Sequence, residues 1–157
     1  MTICSTNYRI FHSLKYLYIE DMNTGKLILA YLLTAVVFFA IDLTWLGWVA
    51  KDLYRKHLGG FLSDQVNWSA AFIFYALFII GIFIFAILPA AEKNSLGHAV
   101  LYGALFGFFT YATYDLTNLA TLKNWPLKIV FIDIIWGSVL TGSVAAAGYW
   151  IVKKILA

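Results

Sequence analysis

Four stretches of this chain are so long and so apolar that they leave few options for folding. "LILAYLLTAVVFFAIDLTWLGWVA" covers 27–50, "SAAFIFYALFIIGIFIFAILPAA" covers 69–91, and two further runs cover 97–122 and 127–152. A bilayer core of about 30 Å takes roughly 20 helical residues to cross, and each run is long enough. Within hydrocarbon only helices and closed barrels satisfy the backbone, and a barrel would alternate in polarity along short strands, which these runs do not. Composition agrees, with 62% hydrophobic and only 12% charged residues, where a soluble domain carries about a quarter charged. The expected fold is all-α, an integral-membrane four-helix up-down bundle over residues 22–157, because connections this short force consecutive helices to run antiparallel. Function must then reside in the helices or at their mouths.

Turn-forming residues divide the runs. Pro89 is expected to close the second span, Asn94-Ser95-Leu96-Gly97 to make a turn, and Pro126 to occupy the first turn of the fourth span, where a missing N–H costs nothing. Trp48, Tyr54, Trp68, Trp125, Tyr149 and Trp150 fall at water boundaries as aromatic anchors. Residues 1–21 lack the apolar core of a signal peptide. Met22 to Lys26 reads as a start just ahead of the first span, so 1–21 is expected to be an extension, loosely ordered or resting at the interface through Ile10, Phe11, Leu14, Leu17 and Tyr18.

Global charge says less. The net +3 is ordinary for a membrane protein with basic flanks, so nucleic acid is not implied, and Cys4, standing alone, excludes an internal disulfide or a thiolate metal cluster. Basic residues divide six to five between the two faces, which tips both termini only slightly toward the cytoplasm.

The informative residues are three aspartates inside spans: Asp42 in "FFAIDLTWLG", Asp115 in "TYDLTN" and Asp133 in "VFIDIIWG". Each costs at least about 2.5–3.5 kcal/mol near a bilayer centre, so each is expected to face the bundle interior or water. Asp42 and Asp115 lie just before spans one and three end, and Asp133 lies just after span four begins. At 1.5 Å per residue all three fall roughly 10–13 Å from the same membrane face. Three acids on three helices at one depth are best buried by pointing at one another. Tyr111, Asp115 and Asn118 share a helical stripe that Gly103 and Gly107 continue, and Asp133, Gly137, Thr141 and Ala145 form another. Trp136 stands beside Asp133, and Trp45 follows Asp42 at i+3. Span two, apolar around Tyr75, is expected to be the most lipid-exposed and to contribute least.

The expected polar site is therefore Asp42, Asp115, Asn118 and Asp133, supported by Thr44, Trp45, Tyr111 and Trp136. Closely placed acids cannot all ionise easily, so a shared proton or bound cation is the natural functional reading. Oxygen ligands alone would suit Mg²⁺, Ca²⁺, Mn²⁺ or Na⁺ over zinc, but no metal ligand set or cofactor is assigned. The bland alternative is interhelical glue, in which protonated acids hydrogen-bond to Thr44, Asn118, Tyr111 or a tryptophan.

Sharper catalytic signatures are missing. Tyr114-Asp115 lacks the Gly-x-Gly-Asp partner of an intramembrane aspartyl protease, and no diphosphate motif, serine elbow, histidine box or Gly-rich phosphate loop occurs. The connection 51–68 sets Arg55, Lys56 and His57 among apolar residues and suits anionic headgroups, or is simply a basic interfacial loop. The leading function is a small membrane protein binding or transporting a proton, cation or small polar solute, with a homodimer supplying the volume a solute path needs. Behind it stand a membrane-embedded lipid-acting enzyme or accessory factor, and a structural partner subunit.

"DLTWLG", "LYRKHLG", "NW", "GALFGFFTYATYDLTNLATLKNWP" and "IDIIWGSVLTG", in this order and spacing, resemble the uncharacterised bacterial multi-pass family named domain of unknown function 2177. The longest motif, through Tyr111, Asp115, Asn118, Thr121, Trp125 and Pro126, adds Thr121 to the supporting residues. The resemblance covers roughly Met22 to Tyr149. It implies a protein of the bacterial cytoplasmic (inner) membrane and brings no assigned activity.

Overall fold

A computed structural model of the chain describes residues 24–61, 63 and 65–156, so the expected extension 1–21 lies outside the described residues. All regular structure among them is helical. Helix α1, Thr24–Thr44, passes into a π-helical turn, Trp45–Val49, and then into the short α2, Lys51–Leu58. Helix α3, Trp68–Ile82, runs through a second π-helical turn, Phe83–Ile87, into α4, Leu88–Glu92. Two long helices follow: α5, Leu96–Thr121, and α6, Leu127–Leu156.

Local chemistry sets these boundaries. The Asn67 side-chain Oδ1 accepts from the Ala70 N–H at 3.1 Å and caps α3, while the Ser95 hydroxyl caps α5 by accepting from the His98 N–H at 3.2 Å. Just past the end of α4 stands Asn94, whose φ of 47° is the left-handed conformation asparagine tolerates. The N–H groups of Asn94 and Ser95 then close back on the carbonyls of Ala91 and Ala90. Asn124, with φ 60°, turns the chain between α5 and α6.

Pro89 does not close the second span. The π-helical turn ahead of it switches the ladder to a wider spacing, with the Leu88 N–H bonded to Phe83, and the helix continues through the proline to Glu92. A proline normally breaks a helix by removing one N–H and crowding the carbonyl four residues back, and a local π register relieves both problems.

Three continuous helical segments are both long and apolar enough to cross a bilayer: Thr24–Val49, Trp68–Glu92 and Leu127–Ile155. Helix α5 matches them in length with 26 residues, but Tyr102, Tyr111, Tyr114, Asp115, Asn118 and four threonines dilute its apolar content.

The largest interface joins α5 to α6. Its closeness comes from small residues. A Cβ on Gly103 would meet the Ala145 Cβ at 2.6 Å and the Thr141 carbonyl at 2.7 Å, and one on Gly107 would overlap the Gly137 carbonyl and the Thr141 hydroxyl. The two small-residue stripes read from the sequence thus meet face to face, and the Thr141 hydroxyl lies 2.6 Å from the Gly103 carbonyl across the seam. Helix α1 buries the single stripe Ala30, Thr34, Phe38 and Asp42. An apolar cluster built on Phe38, Ile79, Ile82, Ile87, Leu140, Val144 and Val152 joins α1, α3 and α6 below the acids. Of the apolar window of α1, 22% is buried, against 33% for α3, so α1 rather than the second span is the more exposed.

Candidate functional site

Asp42, Asp115 and Asp133 are the buried acids of the bundle, 4%, 0% and 7% exposed. They project from α1, α5 and α6. Their positions follow from helical spacing: Asp42 ends the buried stripe of α1, Asp115 lies two turns beyond Gly107, and Asp133 one turn before Gly137.

Each acid meets a different environment. Asp42 Oδ2 accepts a hydrogen bond from the Tyr75 hydroxyl at 3.2 Å. Asp133 Oδ1 accepts from the Tyr54 hydroxyl at 2.5 Å, and that phenol oxygen in turn accepts from Trp45 Nε1 at 3.2 Å. Burial, and after it the bonded Asp133 carboxylate, push the Tyr54 phenol well above its ordinary range, so Tyr54 stays a donor. The Trp45 ring stacks on Trp136 with centroids 4.2 Å apart and planes within 8°. Trp136 brings its indole N–H up to Asp42 without closing a hydrogen bond. Asp115 is the exception: neither of its buried oxygens has a partner, although the indole N–H of Trp125, also unpartnered, lies beside it.

Electrostatics couples two of the acids directly and sets one phenol in the field of all three. Asp115 interacts with Asp133, and the Tyr111 phenol feels Asp42, Asp133, Tyr75 and Asp115. Tyr111 can sit among them because its ring lies over Gly137, where a Cβ would overlap it. Among the described residues no three His, Cys, Asp or Glu side chains gather as a metal site would require. Two of the acids are each held by a phenol, Asp42 by Tyr75 and Asp133 by Tyr54, while Asp115 makes no hydrogen bond.

Of the supporting residues, Trp45, Tyr111 and Trp136 join this network. Thr44 and Thr121 do not: both are exposed and donate to carbonyls of their own helix, Ala40 at 2.6 Å and Thr117 at 2.8 Å. A threonine within a helix has a carbonyl one turn back always in reach, which competes with any partner on another helix. Asn118 is half-buried, and its side chain makes no hydrogen bond among the described residues. The second span contributes more than its apolar sequence suggests. Tyr75 is its one phenol, deep amid hydrocarbon, which is itself the signal that a partner had to exist.

A cleft of about 410 Å³ opens beside the acids, lined by Leu46, Lys51, Tyr54, Arg55, Leu58, Tyr114 and Asp133. Arg55 reaches it. Lys56 and His57, expected with Arg55 at headgroups, are not among its lining residues, whereas Lys51, one helical turn before Arg55, is. A second cleft of about 510 Å³ lies between α3 and α5 and is walled by Phe74, Phe78, Thr110, Tyr111 and Tyr114.

No curated protein and no solved structure matches the chain. Residues 27–150 match the family described as "Predicted membrane protein (DUF2177)", a stretch that holds all three aspartates and both π-helical turns.

Proposed function

The chain belongs to the DUF2177 family of predicted membrane proteins, and from that premise we propose that it handles protons in the bacterial cytoplasmic membrane, loading and unloading them at Asp115 and Asp133. The observation that carries this reading is Asp115, fully buried, unpartnered at both oxygens and electrostatically coupled to Asp133. A carboxylate without donors is costly to bury as an ion, and two neighbouring acids resist ionising together, so the pair is suited to hold a proton.

The route follows from the same groups. Asp133 lines the open cleft and Asp115 lies behind it, so a proton enters at Asp133 and passes inward. Tyr54, bonded to Asp133, orients the outer carboxyl. Helix α5 crosses the bilayer with the other three, because its close packing along α6 holds the two at one depth. A cage of oxygens suited to a metal cation would need more carboxylates or carbonyls converging than this network supplies.

The test is proton movement in liposomes carrying an internal pH-sensitive dye. Wild-type protein should dissipate an imposed pH gradient faster than Asp115→Asn protein of equal folding and faster than protein-free liposomes. Equal rates for wild type and Asp115→Asn overturn the reading.

A further inference from the structure

The cleft beside the acids has a charge arrangement that proton handling does not use. Lys51 and Arg55 stand one turn apart on α2, both exposed, both on the cleft, and neither forms an ion pair among the described residues. Below them the wall is Tyr54 and Asp133. Asp133 Oδ1 is occupied by the Tyr54 hydroxyl, which leaves Oδ2 to accept from a donor. Tyr114 lines this cleft and also the apolar one between α3 and α5, so a polar chamber at the end of the first span adjoins a hydrocarbon-walled one.

Depth orders the two chambers. Lys51 and Arg55 follow the end of the first span, where a membrane–water interface lies. Phe74 and Phe78 lie about 9–15 Å into α3 from Trp68 at 1.5 Å per residue, among the acyl chains. Two unpaired cations at the headgroup level, a carboxylate oxygen under them and an aromatic trough leading inward match the parts of one molecule.

We propose that the two clefts form a binding site for an anionic phospholipid with a hydroxyl-bearing headgroup. The phosphate sits between Lys51 and Arg55, a headgroup hydroxyl donates to Asp133, and one acyl chain lies in the trough of Phe74, Phe78, Thr110 and Tyr111 past the Tyr114 ring. Two basic groups near the membrane surface attract such a lipid, and the trough fixes its position. The site shares Asp133 and its cleft with the proposed proton route, but it is held by the charges at the mouth, so lipid retention and liposome proton flux score the two readings separately.

Native mass spectrometry of the purified full chain tests it, with phosphatidylglycerol and phosphatidylcholine of identical acyl chains as probes. Wild type should retain one phosphatidylglycerol in preference to phosphatidylcholine. Lys51→Ala with Arg55→Ala, two exposed positions, should weaken that retention by about tenfold or more, while Lys56→Ala, off the cleft, leaves it intact. Thr110→Phe, which fills the trough, should weaken both lipids alike. Equal retention of the two lipids by wild type, or retention unchanged in the double variant, overturns the proposal. Displacement of the lipid by soluble glycerol phosphate at comparable concentration also overturns it, in favour of a water-soluble anion.

Discussion

Replacing each buried aspartate by leucine separates an acid kept for chemistry from one kept for stability. Leucine retains the branched outline of the carboxylate while exchanging oxygens for methyls. Both Asp115 oxygens are buried without a partner, so Asp115→Leu removes an unmet hydrogen-bonding demand of about 1–3 kcal/mol and leaves no protein group orphaned. For a chain of this length that corresponds to a rise in Tm of about 2–12 °C. The same exchange at Asp42 or Asp133 strips the acceptor from Tyr75 or Tyr54, and those two variants should fall below Asp115→Leu by about 1–3 kcal/mol. The assay is thermal or steric-trapping unfolding in one detergent or bicelle, all three variants side by side. If Asp115→Leu is the most destabilised of the three, Asp115 has a structural partner and the reasoning fails.

Gly107→Ala should destabilise the bundle by about 1–3 kcal/mol, because its methyl would overlap the Gly137 carbonyl and the Thr141 hydroxyl; unfolding measurements and helix–helix crosslinking across α5 and α6 would register it. Thr44→Ala and Thr121→Ala should stay within about 0.5 kcal/mol of wild type and leave proton flux unchanged, since both hydroxyls bond only to their own helices. Tyr54→Phe removes the donor to Asp133 and the acceptor of Trp45, and should cost about 1.5–3 kcal/mol with a changed indole fluorescence. Asn124→Ala, at φ 60°, should cost about 1–2 kcal/mol in the same unfolding assay, and Asn124→Gly should not.

Much of this bundle is written in spacing. Long apolar runs give the helices, the 3.6-residue period puts Asp42, Asp115 and Asp133 on buried stripes, and the small residues at 103, 107, 137, 141 and 145 announce where α5 and α6 meet. Other features depend on information that no single helix carries. The π-helical turns at Trp45–Val49 and Phe83–Ile87 shift the register of everything beyond them, and no periodicity marks them. One of them carries the helix past Pro89. Tyr54, on the short helix α2, folds back on Asp133, 79 positions away, so its partner is a product of tertiary packing. Thr44 shows the opposite limit: a hydroxyl near an acid in sequence turns to its own backbone, because two residues along a helix is a rotation of about 200°. Tyr75 was legible in principle, since a lone phenol in hydrocarbon demands an acceptor.

Infrared difference spectroscopy of the carboxyl groups tests the shared acidic site most directly. A protonated-carboxyl band that vanishes in Asp115→Asn identifies Asp115, and the account predicts that the same band moves in frequency when Asp133 is replaced by Asn. An Asp115 band that stays fixed in Asp133→Asn, or no such band in wild type at any pH, would contradict it.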